Sequence, residues 1–267
     1  MQQSELLELK QNLRVVVTAG ASGIGKTIAE TFSKTGSKVL VCDISEQAVK
    51  EFNEANSGVA VLADISDVHQ METFFDEARK RLGGLDVLVN NAGIAGPTAL
   101  IEDIDPNDWE KTISVNLNGL FYCMKYALPM LKQAKGGSII NIASSAAMMG
   151  YPLRSPYSAT KWAMIGLTKT IAMEAGSFNI RVNAICPGSV NGPRIEQVIK
   201  NDAKTRGIDP EKIRQTYLNQ VSLHTFIDAH DIANIALFLA SPYGKNISGQ
   251  TIGVDGHTES LSNPINL

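Results

Sequence analysis

A tyrosine and a lysine stand four residues apart in the segment Tyr157-Ser158-Ala159-Thr160-Lys161. On a helix, this spacing places a phenol and an ammonium group on one face. A free tyrosine has a pKa of about 10, and a neighbouring cation stabilises its phenolate and lowers that pKa. Such a pair can accept a proton from a substrate hydroxyl and return it. Because the pattern also arises by chance, it predicts proton transfer only in combination with further residues.

Ser144 lies thirteen residues before Tyr157, just after the predicted strand Ser138–Ile142. In an open α/β sheet, ligands bind beyond the carboxyl ends of the strands. The hydroxyl of Ser144 is therefore expected beside a bound substrate. The adjacent Ser145 is expected only to form local hydrogen bonds, because its spacing from the tyrosine differs.

A glycine-rich segment follows the first predicted strand, Leu13–Thr18. Its glycines, Gly20, Gly23 and Gly25, permit a sharp turn and a close approach of a phosphate to the backbone. The helix predicted from about Lys26 supplies unpaired N–H groups and positive potential for that anion. A strand, a turn and a helix in this order predict a dinucleotide-binding site, and an ordinary tight turn is the alternative.

Asp43 ends the second predicted strand, 18 residues after Gly25. A carboxylate at this place accepts hydrogen bonds from adenosine ribose hydroxyls and repels a 2′-phosphate. Positions 22 and 44, where an Arg or Lys would be expected to bind such a phosphate, are occupied by Ser22 and Ile44. The sequence therefore favours NAD over NADP as the cofactor.

Short runs of Val, Ile and Leu alternate with longer amphipathic segments along the chain. Runs without polar alternation are typical of strands buried on both faces. The pattern predicts one α/β domain over residues 1–267, a Rossmann-like, doubly wound parallel sheet of about seven strands with helices on both faces. The predicted strands are Leu13–Thr18, Lys38–Cys42, Val59–Leu62, Leu85–Asn90, Ser138–Ile142, Ile180–Ile185 and Thr251–Val254, and the longer helices include Val68–Leu82, Trp109–Leu131 and Pro156–Gly176.

One stretch, from Ser189 to Phe226, has helical patterning and no strand. Asp209-Pro210 is typical of a helix start, with the Asp as cap and the Pro in the first turn. Because the stretch leaves the end of a predicted strand, we expect it to be a lid over the substrate. A solvated excursion and an oligomer contact are the alternatives.

The composition argues against several classes of protein. Lys and Arg number 24 against 27 Asp and Glu, so no basic surface for nucleic acid is expected. Cys42, Cys123 and Cys186 form no C-x-x-C pair and the four histidines no H-x-x-x-H pair, so neither disulfides nor a metal site are predicted. No apolar run approaches the roughly 18 residues of a membrane helix, and Met1–Gln11 has no apolar signal core. We expect no membrane partner and a cytoplasmic location.

Five motifs in order make the chain resemble the short-chain dehydrogenase/reductase family over nearly its whole length. They are the loop at 18–25, the segment Asn90-Asn91-Ala92-Gly93, Asn116 within a long helix, Ser144 with Tyr157 and Lys161, and Pro187-Gly188 after the sixth strand. In addition, Asp64-Ile65 matches the pair that contacts adenine in that family.

The resemblance implies hydride transfer between NAD and a secondary alcohol or its ketone. Lys161 would hold the nicotinamide ribose and lower the pKa of Tyr157, which would carry the proton. Ser144 would orient the substrate oxygen, and Asn116 would hold a water that links Lys161 to solvent. The cofactor contacts so implied are Gly20, Ser22, Gly23, Ile24, Gly25, Asp43, Ile44, Asp64, Ile65, Asn91, Ala92, Gly93, Tyr157, Lys161, Pro187, Gly188 and Val190.

The segments 109–131 and 156–176 carry more apolar residues than one core face needs, and Phe121, Tyr122, Met124 and Tyr126 are examples. An apolar outer stripe usually marks an interface. Members of the resembled family commonly pair through these helices. We therefore expect a homo-oligomer, a tetramer or a dimer.

Two positions depart from the family pattern. Ala19 stands where the family usually has Gly, which is tolerable only if that residue does not need a positive φ. Gly192 stands where a Thr often binds the nicotinamide carboxamide, and Ser189, Asn191 or the backbone of Val190 would have to replace it.

The sequence does not identify the small-molecule substrate. Ala95 and Met149 indicate a partly apolar pocket wall, whereas Asn191 indicates a polar one. Guanidinium groups of Arg154 and Arg194, if both point inward, would bind a carboxylate, sulfonate or phosphate. A polyol, sugar or hydroxy acid is favoured. The alternatives are a 3-ketoacyl thioester reductase, a dinucleotide sensor without turnover, and a lyase, epimerase or dehalogenase on the same fold.

Overall fold

The computed structural model describes residues 12–55 and 58–258, so Met1–Gln11 lies outside the described residues. Seven strands form one sheet in the order β3-β2-β1-β4-β5-β6-β7, and every neighbouring pair is parallel. The strands are β1 Arg14–Thr18, β2 Lys38–Asp43, β3 Val59–Leu62, β4 Val87–Asn90, β5 Gly137–Ile142, β6 Ile180–Pro187 and β7 Thr251–Val254. The predicted sheet is confirmed, with strand ends displaced by at most two residues.

Helices cover both faces of this sheet. They are α1 Gly23–Lys34, α2 Glu46–Glu54, α3 Val68–Leu82, α4 Pro106–Ile113, α5 Gly119–Gln133, α6 Ser155–Ala175, α7 Pro193–Arg206, α8 Pro210–Asn219 and α9 Ala229–Ala240. One apolar core lies between the sheet and α3, α5 and α6, and the other between the sheet and α1, α2 and α9. Val15, Val16 and Val17 of β1 are fully buried because they face these two cores in alternation.

The single helix predicted at Trp109–Leu131 is wrong in detail. The helical stretch begins at Pro106, where Asp105 caps the first turn, and a five-residue π turn, Ser114–Asn118, separates α4 from α5. A π turn inserts one residue and rotates the faces that follow it. Helix α1 begins at Gly23 rather than about Lys26, because the extended Ser22 already occupies the N-cap position.

The apolar stripe expected on the outside of the long helix is partly wrong. Met124 is buried in the core, and Tyr122 and Tyr126 pack against it, whereas Phe121 is 51% exposed. Other large apolar side chains are exposed instead on α4, α6 and the turn after α6, namely Trp109, Trp162, Met173 and Phe178. An exposed apolar surface is therefore present, with a different set of residues.

The insertion at 189–226 consists of two helices, α7 and α8, as predicted. The Asp209 carboxylate accepts a hydrogen bond from the Glu211 N–H and so caps α8. Ile195, Ile199 and Ile213 bury one face of the two helices in a small core of their own. Within the described residues, no helix is both long and apolar enough to cross a membrane.

The cysteines and histidines form no special site in the described part of the chain. Cys42, Cys123 and Cys186 are free and buried, as their apolar surroundings predicted. No group of three or more His, Cys, Asp or Glu side chains among the described residues could hold a metal ion.

Candidate active site at the carboxyl edge of the sheet

The predicted site residues meet where the parallel strands end. Thr18, Asp43 and Asn90 are the last residues of β1, β2 and β4, and Ile142 and Pro187 are those of β5 and β6. Parallel strands place all these ends at one edge of the sheet. The order in the sheet therefore brings together segments that are far apart in the sequence.

Tyr157 and Lys161 lie on the first two turns of α6. The Nζ atom of Lys161 is 5.7 Å from the centre of the Tyr157 ring and donates a 2.8 Å hydrogen bond to the Ile142 carbonyl at the end of β5. Lys161 is only 3% exposed, whereas Tyr157 is half-buried. The structure thus brings the two residues together as their spacing predicted.

The environment of Tyr157 shifts its pKa downward. Burial raises the pKa of the phenol, but the positive charges of Lys161 and Arg194, the hydrogen bond with Ser144 and the charge of Arg154 outweigh that effect. For Lys161, burial lowers the pKa of the ammonium group, and the nearby phenol partly opposes this shift. The shift brings the pKa of Tyr157 closer to neutral pH than that of a free tyrosine, which suits the phenol to proton transfer.

Ser144 follows β5 in an extended conformation and begins the short turn Ser145–Ala147. Its Oγ atom accepts a hydrogen bond from the Ala146 N–H at 3.2 Å. The hydroxyl of Ser158 on α6 donates to the Ala146 carbonyl at 3.0 Å and ties this turn to the helix of Tyr157. Ser144, rather than Ser145, is the serine whose hydroxyl acts on the phenol of Tyr157 and lowers its pKa.

Asn116 lies in the π turn and is 1% exposed. Its Oδ1 atom accepts from the Ile94 N–H at 2.7 Å, and its Nδ2 atom donates to the Ile94 carbonyl and to Thr160 Oγ1. The side chain therefore fixes the strand-end loop against α6. A Cβ atom added to Gly93 would lie 3.2 Å from Asn116 Oδ1 and 3.7 Å from Lys161 Nζ, so Gly93 leaves this space open.

The glycine-rich loop packs closely against its neighbours. A Cβ atom on Gly25 would lie 2.1 Å from the Ala19 carbonyl oxygen, and one on Gly20 would lie 2.6 Å from the Cβ atom of Val41. Gly23 has a φ of +52° and open space where its Cβ would be. Ser22 is exposed and makes no side-chain cap, and half-buried Ile24 packs on the core below. Helix α1 thus presents open N–H groups at its start.

Ala19 adopts a left-handed conformation with a φ of 47°. The condition for tolerating Ala at this position, that the residue does not need a positive φ, is therefore not met, and the loop forms with a strained Ala in place of the usual Gly. The Ala19 carbonyl accepts a 3.1 Å hydrogen bond from Asn91 Nδ2, which helps to hold the loop in this strained state.

The two acidic residues predicted to contact adenosine, Asp43 and Asp64, differ in their surroundings. Asp43 is 6% exposed, and its carboxylate accepts hydrogen bonds from the Ala21 and Ser45 N–H groups. The neighbouring Ile44 side chain is 69% exposed. Asp64 instead accepts from the backbone and hydroxyl of Ser66, and the Ile65 that follows it is buried.

The segment 90–93 is connected to β1 and β5. The N–H groups of Asn91 and Ala92 both donate to Thr18 Oγ1 at 3.0 Å, and Asn90 donates to Asn141 at 2.8 Å. Thr18 begins the loop at 18–25 but was not among the predicted site residues, and its hydroxyl at the end of β1 was the signal that could have identified it.

The last of the predicted cofactor segments follows β6. A Cβ atom on Gly188 would lie 2.9 Å from the Cα atom of Asp255, and Val190 forms a bridge with Ile227. Asn191 turns toward α9, where its Nδ2 atom donates to the Asp228 carboxylate at 2.8 Å.

The remaining substrate candidates lie in the loops after β4 and β5 and at the start of α7. The guanidinium carbon of Arg154 is 5.3 Å from the Tyr157 ring centre, and Arg154 is 5% exposed. Arg194 is exposed on the first turn of α7. Ala95 and Met149 are half-buried in the loops after β4 and β5.

Comparisons with known proteins agree with this geometry. A family model described as enoyl-(acyl carrier protein) reductase matches residues 18–257. The 3-oxoacyl-(acyl-carrier-protein) reductase FabG of Thermotoga maritima is 34% identical over 90% of this chain and 95% of its own length. The chain belongs to the short-chain dehydrogenase/reductase family. It is accordingly an oxidoreductase of the type that acts on CH–OH groups.

Other relatives within this family carry different substrate names. The D-beta-hydroxybutyrate dehydrogenase of Rhizobium meliloti is 35% identical over 90% of this chain and 96% of its own. The trans-4-hydroxycyclohexanecarboxylate dehydrogenase of Sinomonas cyclohexanicum is 36% identical over 90% of each chain. Among solved structures, NAD⁺-bound xylitol dehydrogenase has a TM-score of 0.88 at 26% identity, covering 93% of this chain and 100% of that one. An actinorhodin polyketide ketoreductase with NADPH has a TM-score of 0.88 at 28% identity, covering 93% and 97%.

A polar cluster between Tyr151 and the helices α7 and α8 was not predicted from the sequence. The hydroxyl of Tyr151 lies 3.3 Å from that of Tyr217 on α8, and Tyr217 reaches Asp202 on α7. Asp202 is 5% exposed and accepts a 2.5 Å hydrogen bond from Arg206. These residues border a cavity of about 20 Å³ that also touches Arg154. The i, i+4 spacing of Asp202 and Arg206 was the one signal available in the sequence.

Replacing Ala19 with Gly should raise the free energy of unfolding by about 1 kcal/mol or less. A left-handed conformation costs a residue other than Gly about 1–2 kcal/mol, and the greater freedom of Gly in the unfolded chain offsets part of this gain. Urea unfolding of both proteins measures the difference. Ala21→Gly, at a neighbouring residue without positive φ, should destabilise the protein. A lower free energy of unfolding in Ala19→Gly would contradict the conclusion that Ala19 is strained.

Proposed function

We propose that this enzyme interconverts a secondary alcohol and its carbonyl, with NAD as the hydride carrier. One observation carries the proposal: the buried Lys161 ammonium group and Ser144 both act on the phenol of Tyr157 and lower its pKa. A tyrosine in this state, at the carboxyl edge of a parallel sheet, is suited to transfer a hydroxyl proton.

The residues at the edge of the sheet fit a dinucleotide. Gly25 keeps the loop against α1 where a Cβ atom would collide, and Gly23 leaves the start of that helix open. The free N–H groups at the start of α1 would hold the phosphates, and the Asp43 carboxylate would accept hydrogen bonds from the ribose hydroxyls of adenosine. Lys161, Gly93, Pro187 and Gly188 would hold the nicotinamide half. When bound, the nicotinamide supplies the donor or acceptor of the hydride.

The side chains of the enzyme have separate roles in the transfer of the proton. Tyr157 accepts the hydroxyl proton during oxidation and returns it during reduction. Ser144 donates a hydrogen bond to the substrate oxygen, and Lys161 keeps the phenol acidic. Asn116 fixes α6 through Thr160. The space beside Gly93 admits the water that connects Lys161 to solvent.

The choice of NAD over NADP rests on Asp43. The carboxylate lies at the end of β2 and is anchored by the Ala21 and Ser45 N–H groups. A fixed negative charge there opposes a second phosphate on the ribose. The two structural neighbours were solved with NAD⁺ and with NADPH respectively, so similarity alone favours neither cofactor.

A hydroxy acid, polyol or sugar is the proposed class of substrate. Two relatives are named for hydroxycarboxylates and one structural neighbour for a polyol. The similarity to FabG supports a second candidate, reduction of a 3-ketoacyl thioester. A dinucleotide sensor is disfavoured because Asn116, Ser144, Tyr157 and Lys161 are all present.

The proposed assembly is a cytoplasmic homo-oligomer, a tetramer or a dimer. The exposed Phe121, Trp162, Met173 and Phe178 support it, because large apolar surfaces are usually covered by a partner.

Purified enzyme should reduce NAD⁺ with at least one compound from a panel of secondary alcohols, polyols, sugars and hydroxy acids. Tyr157→Phe should lower that rate at least about 100-fold because the proton acceptor is lost. The absorbance of reduced nicotinamide measures the rate. A titration with NADH should show that the variant still binds cofactor. Full activity in Tyr157→Phe would contradict the assigned role.

Asp43→Asn should lower the preference for NAD⁺ over NADP⁺ at least about tenfold, measured as the ratio of the two kcat/KM values. The substitution removes the negative charge while keeping the size of the side chain. Glu54→Gln, at the end of α2, is the matched control because it removes one charge from an exposed position. A wild-type enzyme that prefers NADP⁺, or a ratio unchanged in Asp43→Asn, would overturn the choice of NAD.

A further inference from the structure

Arg154 is a buried cation with incomplete hydrogen bonding. It is 5% exposed, and its Nη2 atom donates a 2.8 Å hydrogen bond to the Ala95 carbonyl. Its Nε atom is buried and has no partner among the described residues. No carboxylate in residues 12–55 and 58–258 forms an ion pair with it. A buried charge without a counter-ion is costly, so such a group is suited to receive an anion.

Arg194 reaches the same place from the lid. Its Nη1 atom donates a 3.1 Å hydrogen bond to the Gly93 carbonyl, two residues before the carbonyl that binds Arg154. The two guanidinium groups are therefore anchored on one short segment after β4. Both of their charges also reach the phenol of Tyr157.

The positive charge around Tyr157 is not neutralised by the described part of the protein. Lys161 binds the Ile142 carbonyl, and the two arginines also bind carbonyl oxygens. The buried lid carboxylate, Asp202, is already paired with Arg206 at 2.5 Å. Three cations without a carboxylate partner thus act on the phenol, whereas the other two arginines of α7 and α8, Arg206 and Arg214, pair with Asp202 and Glu196.

We propose that Arg154 and Arg194 form a subsite for the carboxylate of a short hydroxy acid whose hydroxyl group is held by Tyr157. This inference rests on the proposed function and narrows its substrate class. A carboxylate has two oxygens in one plane and matches the N–H groups of a guanidinium.

The test compares acids with their methyl esters, which keep the hydroxyl group and lose the charge. The probes are 2-hydroxypentanoate, 3-hydroxypentanoate and 5-hydroxyhexanoate, each with NAD⁺. For the isomer that fits, kcat/KM of the acid should exceed that of the ester at least about tenfold. In Arg154→Met and in Arg194→Met, this ratio should fall at least about tenfold.

Two variants separate the subsite from general damage to the lid. Arg154→Lys keeps the charge and should retain part of the preference for the acid, while Arg154→Met should not. Arg214→Met removes the same charge from α8, where the arginine is paired with Glu196, and should leave the acid-to-ester ratio unchanged. An equal loss of the ratio in Arg214→Met would overturn the assignment.

The outcomes distinguish this inference from the proposed function. Turnover of esters and acids with equal kcat/KM would reject the subsite and leave the dehydrogenase intact. Inhibition by inorganic phosphate but not by pentanoate would reject the carboxylate as its ligand.

If none of the alcohols is oxidised, calorimetry still decides on the subsite. NADH-saturated enzyme would be titrated with 2-oxopentanoate and 5-oxohexanoate and with their methyl esters. Tighter binding of an acid, lost in Arg154→Met, supports the subsite even though the proposed reaction has failed for these compounds. Equal binding of acid and ester, or no binding of either, overturns it.

Discussion

The burial of one ammonium group constrains the rest of the active site. Lys161 is 3% exposed, and its Nζ atom binds a backbone carbonyl at the end of β5. Burial lowers the pKa of this group, and the adjacent phenol of Tyr157 opposes that shift. The buried positive charge of Lys161 is therefore stabilised when the phenol of Tyr157 loses its proton. The chemistry of the site follows from this unfavourable burial, because a solvated lysine at the same spacing would affect the phenol far less.

The fold keeps this pair in place through contacts on both sides of α6. Ile142, whose carbonyl receives the ammonium group, ends a strand that has a neighbour on each side. On the sheet side, Asn141 accepts from one asparagine of β4 and donates to Thr168 on α6. On the other side, Asn116 in the π turn donates to Thr160. The polar side chains thus link β4, β5 and the π turn to α6, the helix that carries the reactive phenol. The apolar core on this face of the sheet also holds α6 in place.

Short-range patterns predicted the sheet and the reactive pair, and long-range contacts decided the rest. Apolar runs and the glycine-rich loop are recognisable within a few residues, so the strands were correctly predicted, and the predicted site residues lie together at the strand ends. Met124 was included in the predicted outer stripe because it is apolar, but its side chain packs in the core. The burial of Arg154 depends on Ala95, 59 residues away, and the strain at Ala19 on Asn91. No local pattern contains such pairings.

An ultraviolet titration of tyrosinate tests directly whether Lys161 lowers the pKa of Tyr157. The wild type should show one tyrosine that ionises below the usual pKa of about 10, and this signal should be absent in Tyr157→Phe. Tyr151 and Tyr217 should ionise at higher pH than usual, because burial raises the pKa of both phenols. In Lys161→Met, the signal of Tyr157 should move to higher pH. An unchanged titration in Lys161→Met would show that Lys161 does not lower the pKa of Tyr157.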